Sequence, residues 1–555
     1  MRSLLFLPTA AIMVVAFAWP VATIVLRSFN RHGDASFSDL YFGNYKAIVH
    51  DSVLRTITEH TAYLAIGSTV FTVLIAFPVA YLASRVGRRL ANVLLCLVLI
   101  PFWVSVLVRL FAFTAILGRE GIVNKALGIF GIGPASLLFN SRATVIGMVA
   151  YLLPYMILIL YSAMSSVDQS LVTAAKTMGA SGRQAFFQVY LPQVRSALVS
   201  GALLIFVLGL GFFLTPAILG GPSDITLPVY IQQQINVFAW GRACAAGVVL
   251  LLVSLVGYAV ALRISGVGVL NSSARPVNRG GASRERLRFG GSTVAAWCLT
   301  GVAVLILVGP LLVVFPSAFT NSAEIRFPPT GFTFEWFKEV VTDTLWTSAV
   351  AKSARVGIAV AICSTLIALA AARAYTQLRS SAARMAVQTI ALAPVIVPVI
   401  LLAIGDFDVQ VKLHWIGSDH GLVIAHIVLA FPFAFLVISN ALSRLEGSLE
   451  EAAWSMGVSR IRTFWTVVVP NIVPALVGAL VISFMTSWDE AVVALFQSGI
   501  TKTLPVTIYS FLTSGVTPAV AAVAVILIVP VVVALVVYAI LSARHGRKAG
   551  ALLEA

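Results

Sequence analysis

Thr173-Ala174-Ala175-Lys176-Thr177-Met178-Gly179 and Glu451-Ala452-Ala453-Trp454-Ser455-Met456-Gly457 are two versions of one heptapeptide, set 278 residues apart. Pro192 and Pro470 follow them at the same offset, Pro154 and Pro432 precede them at it, and Leu227-Pro228 answers Leu504-Pro505 at 277. An offset held this constant over about 75 residues marks an internal duplication in which both copies run in the same order. In the second copy, Ser448 and Glu451 have the spacing of a capping box that starts a short helix. Gly457 can take the left-handed conformation that ends it, Ser459 can cap a second short helix through Val468, and Pro470 marks where the chain moves on. Ser170, Gly179, Ser181 and Pro192 occupy the matching places in the first copy. Each copy thus reads as a small amphipathic helix pair.

On either side of these pairs the chain is overwhelmingly apolar: of 555 residues, 59% are hydrophobic and 10% charged, which excludes an ordinary soluble domain. About twelve stretches are long enough to cross a hydrocarbon core. They lie near 4–27, 60–84, 91–117, 143–164, 196–219 and 243–264, then 293–319, 346–371, 386–405, 421–441, 475–497 and 518–541. The expected fold is all-α: a polytopic membrane protein of about twelve transmembrane helices in two parallel six-helix repeats. The first repeat covers 1–264 with its helix pair in the loop 165–195, and the second covers 292–555 with its pair in the loop 443–474. Arg2 and Ala16-Phe17-Ala18 imitate a secretory signal, but the apolar run continues to Leu26 through Trp19 and Pro20, so the first stretch is read as a retained helix.

Between the repeats, 265–291 is rich in Gly, Ser and Arg and has no helical periodicity; it reads as a linker that buries too little apolar surface to order itself. The net charge of +16 raises the question of nucleic acid. Its excess, which includes Arg85, Arg88, Arg89, Arg373, Arg379 and Arg384, falls in alternate loops, the distribution that orients a membrane protein with these loops in the cytoplasm. Nucleic-acid binding is left with nothing to explain. Both termini, the linker and the duplicated helix pairs then belong on the cytoplasmic side of the membrane.

Cys96, Cys244, Cys298 and Cys363 lie in or beside apolar stretches without C-x-x-C spacing, which indicates neither a disulfide framework nor a metal site. His414, His420 and His426, six apart, fit no common metal motif. Ionisable groups inside a membrane are costly and mark pathways or partners. Arg109 in the third stretch, and Asp489 and Glu490 beside Trp488 in the eleventh, are therefore the candidate contacts for a solute. Adjacent residues on a helix point about 100° apart, so one continuous helix would turn only one of the two acids to a pore. The first repeat has Gly211-Phe212-Phe213 there, which makes an acidic site one-sided.

The heptapeptides resemble the signature of ABC importer permeases: E-A-A, three residues, G, about nine residues, then I-x-L-P. The second copy reads Glu451-Ala452-Ala453, Gly457 and Val468-Val469-Pro470; the first reads Thr173-Ala174-Ala175, Gly179 and Tyr190-Leu191-Pro192, with Thr173 in place of the Glu. The run 101–109, with Thr215-Pro216-Ala217-Ile218-Leu219-Gly220-Gly221, is similar to one permease of the spermidine/putrescine-type subfamily. Pro394-Val395-Ile396-Val397-Pro398 and Trp488-Asp489-Glu490-Ala491-Val492-Val493 are similar to its partner, so two chains look fused into one. The resemblance implies a bacterial inner-membrane permease whose helix pairs are coupling loops seated in a dimer of ABC ATPase subunits, with a solute-binding protein docking on the outer face.

No G-x-x-x-x-G-K-[ST] phosphate loop occurs in the sequence, so the chain is not expected to be an enzyme or to carry a cofactor; ATP would be bound by the partner subunits. The solute implied is small and cationic or zwitterionic. The rival reading, a secondary transporter of two parallel six-helix repeats, leaves the duplicated helix pair without a use. An ion channel would show rings of polar residues that the sequence lacks.

Overall fold

The computed structural model describes residues 6–31, 33, 40–265, 291–322, 328–329, 331–515 and 517–529. The first repeat comprises α1 (Leu7–Ser28), α2 (Ser52–Arg85), α3 (Arg88–Leu99), α4 (Val106–Leu117), α5 (Ser141–Ser165), α6 (Gln169–Thr177), α7 (Leu191–Leu210), α8 (Leu214–Leu219), α9 (Leu227–Asn236) and α10 (Trp240–Ser265). Its counterparts in the second are α11 (Gly291–Ser317), α12 (Thr344–Thr376), α13 (Ser381–Ile396), α14 (Val399–Lys412), α15 (Asp419–Arg444), α16 (Gly447–Ser455), α17 (Val469–Trp488), α18 (Val492–Gln497), α19 (Leu504–Ser514) and α20 (Ala519–Val529). Among the described residues the only extended pairing is two isolated bridges, Asn30 with Leu40 and Thr320 with Phe332. The fold is all-α. Among the described residues nine helices are long and apolar enough to cross a membrane, or up to eleven when each sharply bent pair counts as one span. The twelfth stretch begins as α20 and leaves the described residues after Val529, and the linker between Ser265 and Gly291 lies outside them altogether.

Four stretches that read as unbroken spans are broken. The third bends by 99° between Trp103 and Val106, and the ninth by 94° between Ile396 and Val399. The fifth stops at Leu210 and resumes at Leu214, and the eleventh stops at Trp488 and resumes at Val492. Hydropathy reports how apolar a stretch is and nothing of its backbone. The causes are local: Val104, Val397 and Pro398 take extended conformations, and a proline cannot continue a hydrogen-bond ladder.

Prolines leave another mark. Pro20, Pro192 and Pro470 each stand second in the α-helical run that follows a π-helical turn, at Val14–Ala18, Ala185–Tyr190 and Phe464–Val468. The wider turn accommodates a residue that cannot donate its amide and would crowd the carbonyl four residues back.

The repeats interlock. α1 packs on α14 of the other repeat, and α11 packs on α2 and α4. Gly405 sits so close to Pro20 that a Cβ there would lie 2.7 Å from the Pro20 carbonyl oxygen. Where α1 ends, Arg27 pairs with Asp408 and lies over the Trp240 ring, which stacks on Phe407. One buried apolar cluster runs through both repeats and contains Leu107, Phe111 and Ala243 alongside Ile400, Leu401 and Val428.

At the end of the bundle where α2 and α12 start, duplicated hydrogen bonds fix the returning chain. Thr61 Oγ1 accepts the Leu227 amide at 2.9 Å, and Ser353 Oγ accepts the Leu504 amide at 2.8 Å. One position earlier the repeats diverge. His60 meets Ser141 and Asp224, with Ser141 donating to the Asp224 carboxylate at 2.6 Å. Lys352, the counterpart of His60, donates instead to the carbonyls of Gly417 and Thr501.

Candidate functional site: the helix pairs and the central crossing

At the opposite end of the bundle, each heptapeptide forms a short helix followed by a tight turn. Gly179 and Gly457 have φ of +93° and +81°, and a Cβ on either would meet nothing within 4 Å. Glycine is therefore required by backbone angle rather than by crowding. The Ala180 amide reaches back to the Ala175 carbonyl and the Val458 amide to that of Ala453, closing the Schellman turn that such a residue makes possible. Ser181 and Ser459 then cap the second short helices, Ser181 in a reciprocal capping box with Gln184.

The caps of the first helices differ from the sequence expectation. The Ser448–Glu451 box does not form: helix α16 begins after Glu446, which gives no side-chain cap. In the first repeat Asp168 rather than Ser170 is the cap, accepting the Ser170 amide at 2.9 Å and its hydroxyl at 2.7 Å. That hydroxyl, with the amide, holds the Asp168 carboxyl below its usual range. An Asp two residues earlier outcompetes a serine because a carboxylate at a helix N-terminus also meets the helix dipole.

Thr173, Ala174, Glu451 and Ala452 are exposed, while Ala453 is buried. Met178 and Met456, at the tips, are 87% and 76% exposed, so each pair presents an apolar point to whatever meets it. The acid that anchors the second pair is Glu450, which takes both guanidinium nitrogens of Arg373, one of them at 2.8 Å. Sequence reading passed over it in favour of its neighbour; the only signal was Arg373 at the end of an apolar span.

The second locus lies where the broken helices of the two repeats cross. The Asp489 carboxylate accepts the Val106 amide at 3.0 Å across the repeats, satisfying the first free amide of α4. At the matching crossing, a Cβ on Gly211 would lie 3.2 Å from Pro398 Cβ; a Gly–Pro contact replaces the carboxylate and amide. One turn along α4 from Val106, buried Arg109 lies 5.3 Å from the Tyr151 ring centre, and its Nε has no hydrogen-bond partner. Tyr151 packs against Phe212 and Tyr155, and Tyr155 against Phe102. Trp488 stacks on Phe484.

At the break in the eleventh stretch the two acids have separate partners. The Glu490 carboxylate accepts the amides of Val492, Val493 and Ala494 at 2.9–3.0 Å and approaches His426, which is bonded to Ser487. It caps α18. In the first repeat Phe212 takes its place, and Pro216, the counterpart of Ala494, has no amide to satisfy. Of the four sequence-chosen residues the structure brings Asp489 and Arg109 to one helix terminus and turns Glu490 to its own chain. Among the described residues no group of three or more His, Cys, Asp or Glu side chains is placed to hold a metal ion.

A duplicated, interlocked bundle of membrane helices with a helix pair repeated at one end defines a transport permease. The family model for binding-protein-dependent transport system inner membrane components matches residues 69–267 and again 364–547, and the chain belongs to that family, with two copies of its domain in one polypeptide. It is a multi-pass inner-membrane component of a bacterial ABC importer, not itself catalytic, of a family that works with a solute-binding protein and separate ATPase subunits.

The spermidine/putrescine transport system permease protein PotB of Escherichia coli (strain K12) is 28% identical over 239 residues, 42% of this chain and 86% of that protein. The ferric transport system permease protein FbpB of Actinobacillus pleuropneumoniae is 24% identical over 451 residues, 79% of this chain and 63% of that one. Among solved structures, a bacterial alginate ABC transporter in complex with alginate pentasaccharide-bound periplasmic protein gives a TM-score of 0.41 at 17% identity, covering 47% of this chain and 92% of its own.

Proposed function

We propose that this chain is the fused permease of an ABC importer for a small cationic or zwitterionic solute of the polyamine kind, in which one polypeptide supplies both halves of the pathway. Residues 1–264 and 292–555 form the halves, joined by 265–291, and both termini lie in the cytoplasm. Helices α6 and α16 enter the two subunits of an ATPase dimer, with Thr173, Ala174, Ala175 and Gly179, and Glu451, Ala452, Ala453 and Gly457, in the contacts and Pro192 and Pro470 at the return to the membrane. A solute-binding protein delivers solute to the opposite face.

The observation that carries the solute class is Asp489 at the N-terminus of α4, near an aromatic group made by Phe102, Tyr151, Tyr155 and Phe212. A carboxylate and ring faces together attract an amine cation and leave its methylene chain apolar surface. Arg109, held over Tyr151, offers a partner to an anionic group should the solute carry one. Trp488 and Glu490 complete the surroundings, Glu490 by fixing α18. The likeness to PotB supports this class, and the likeness to FbpB supplies the alternative that the experiment must separate.

The test is uptake by proteoliposomes holding this chain, its ATPase and its binding protein. ATP-dependent uptake of labelled putrescine or spermidine, unaffected by excess ferric salt, is expected. Uptake of iron without uptake of amines would overturn the solute class while leaving the family intact.

A further inference from the structure

The two helix pairs are attached to their membrane helices by different chemistry. In the second repeat Arg373, at the end of α12, grips the Glu450 carboxylate of α16 with two nitrogens and lies 5.6 Å from the Phe464 ring centre. Both charged side chains are about seven-eighths buried, at 15% and 13% exposure. The matching positions of the first repeat are Tyr81, Val172 and Phe186. There the counterpart of the carboxylate is a valine: Tyr81 meets Phe186 and Tyr190 edge-on, Arg85 lies over the Tyr81 and Tyr190 rings, and Val172 is buried.

We propose that Arg373 and Glu450 are a positioning pair, the joint through which displacement of α16 is transmitted to α12, while the first repeat transmits through packed rings and the Arg85 cation that lies over them. This rests on the reading of α6 and α16 as coupling helices. A bidentate guanidinium–carboxylate pair fixes distance and angle together, and when buried, neither charge can be left behind without a large penalty. Helix α16 therefore cannot slide along α12 without carrying it. Ring edges, a valine and a guanidinium lying over ring faces set no such fixed distance and angle, so α6 can roll on α2. The chain is built to couple unequally: a stiff joint on the Glu451 side and a compliant one on the Thr173 side.

The test uses the complete importer in proteoliposomes with Arg373→Glu, Glu450→Arg, the double exchange, and Tyr81→Leu. Co-purified ATPase, ATP hydrolysis stimulated by the binding protein, and solute uptake are measured together. Each single reversal is expected to keep the ATPase bound yet lower uptake per ATP hydrolysed by at least about tenfold, the scale of an ordinary coupling free energy. The double exchange should return it to within a fewfold of the parent, and Tyr81→Leu should change it far less. Uptake per ATP that is unchanged in both single variants, or that stays lost in a well-folded double exchange, would overturn the proposal. The coupling-helix reading itself is checked by the co-purified ATPase. A parent chain that never binds an ATPase would remove that reading instead.

Discussion

The Asp489 carboxylate accepts its hydrogen bond from the Val106 amide, 383 residues earlier in the chain, and so ties a break in one repeat to a break in the other. Gly211 and Pro398 meet at the matching point without any polar bond. The central crossing is thus symmetric in backbone and asymmetric in charge, and on the proposed pathway a solute would meet one acid rather than two.

That bond separates the two acids by experiment. In Asp489→Asn the side-chain carbonyl can still accept the Val106 amide, so folding should be retained while the charge is gone. Uptake of a cationic solute is expected to fall at least about tenfold, with stimulated ATP hydrolysis retained. Glu490→Gln should act on stability, by about 1–3 kcal/mol, because one amide oxygen replaces a carboxylate shared by three backbone N–H groups. A stable Glu490→Gln variant with selective loss of uptake would reverse the two roles.

Gly457→Val should place a β-branched residue at a φ of +81°, at a cost of about 1–3 kcal/mol. Since a Cβ there touches nothing, the damage should be confined to the turn. The variant is expected to reach the membrane in normal amount with its ATPase dissociated or uncoupled. Gly179→Val should do the same more mildly, because the compliant first repeat tolerates a displaced α6. Normal transport by both variants would contradict the placement of the coupling contacts.

Thr61→Val and Ser353→Ala each remove the acceptor of a buried amide, that of Leu227 and that of Leu504. An unsatisfied buried N–H costs about 1–3 kcal/mol. Both variants should lower the thermal unfolding midpoint in detergent by similar amounts, since the two bonds are counterparts. A shift in one variant only would mean that the repeats are not equivalent there.

Orientation is checked with single cysteines in a chain whose four native cysteines are replaced. Ser380→Cys, between α12 and α13, should resist an impermeant thiol reagent in intact cells, whereas Gly133→Cys, between α4 and α5, should react. Both positions are exposed, so accessibility within the fold does not bias the comparison. The opposite pattern would invert the topology.

Much of this was legible in the sequence because it rests on period and composition. Twelve apolar runs, the constant offset and the glycines at 179 and 457 each have one physical meaning in a chain so poor in charge. The breaks were hidden, because Val104-Ser105 and Asp489-Glu490-Ala491 interrupt the backbone without interrupting hydropathy enough to register. Glu450 was hidden for a related reason. Two adjacent glutamates on a short helix differ only in the direction they face, and that depends on where Arg373 arrives from a helix about 75 residues earlier. Asp168 displaced Ser170 as a cap because several residues near a helix start can bid for the same amide, and tertiary position decides among them.

The claim that one fused chain supplies both halves of an ATP-driven pathway is tested most directly by native mass spectrometry of the importer extracted from membranes. The expected particle holds one copy of this chain and two ATPase subunits, and liposomes containing it take up solute only when ATP is supplied. A particle with two copies of this chain, or uptake that proceeds with no ATPase bound, would contradict it.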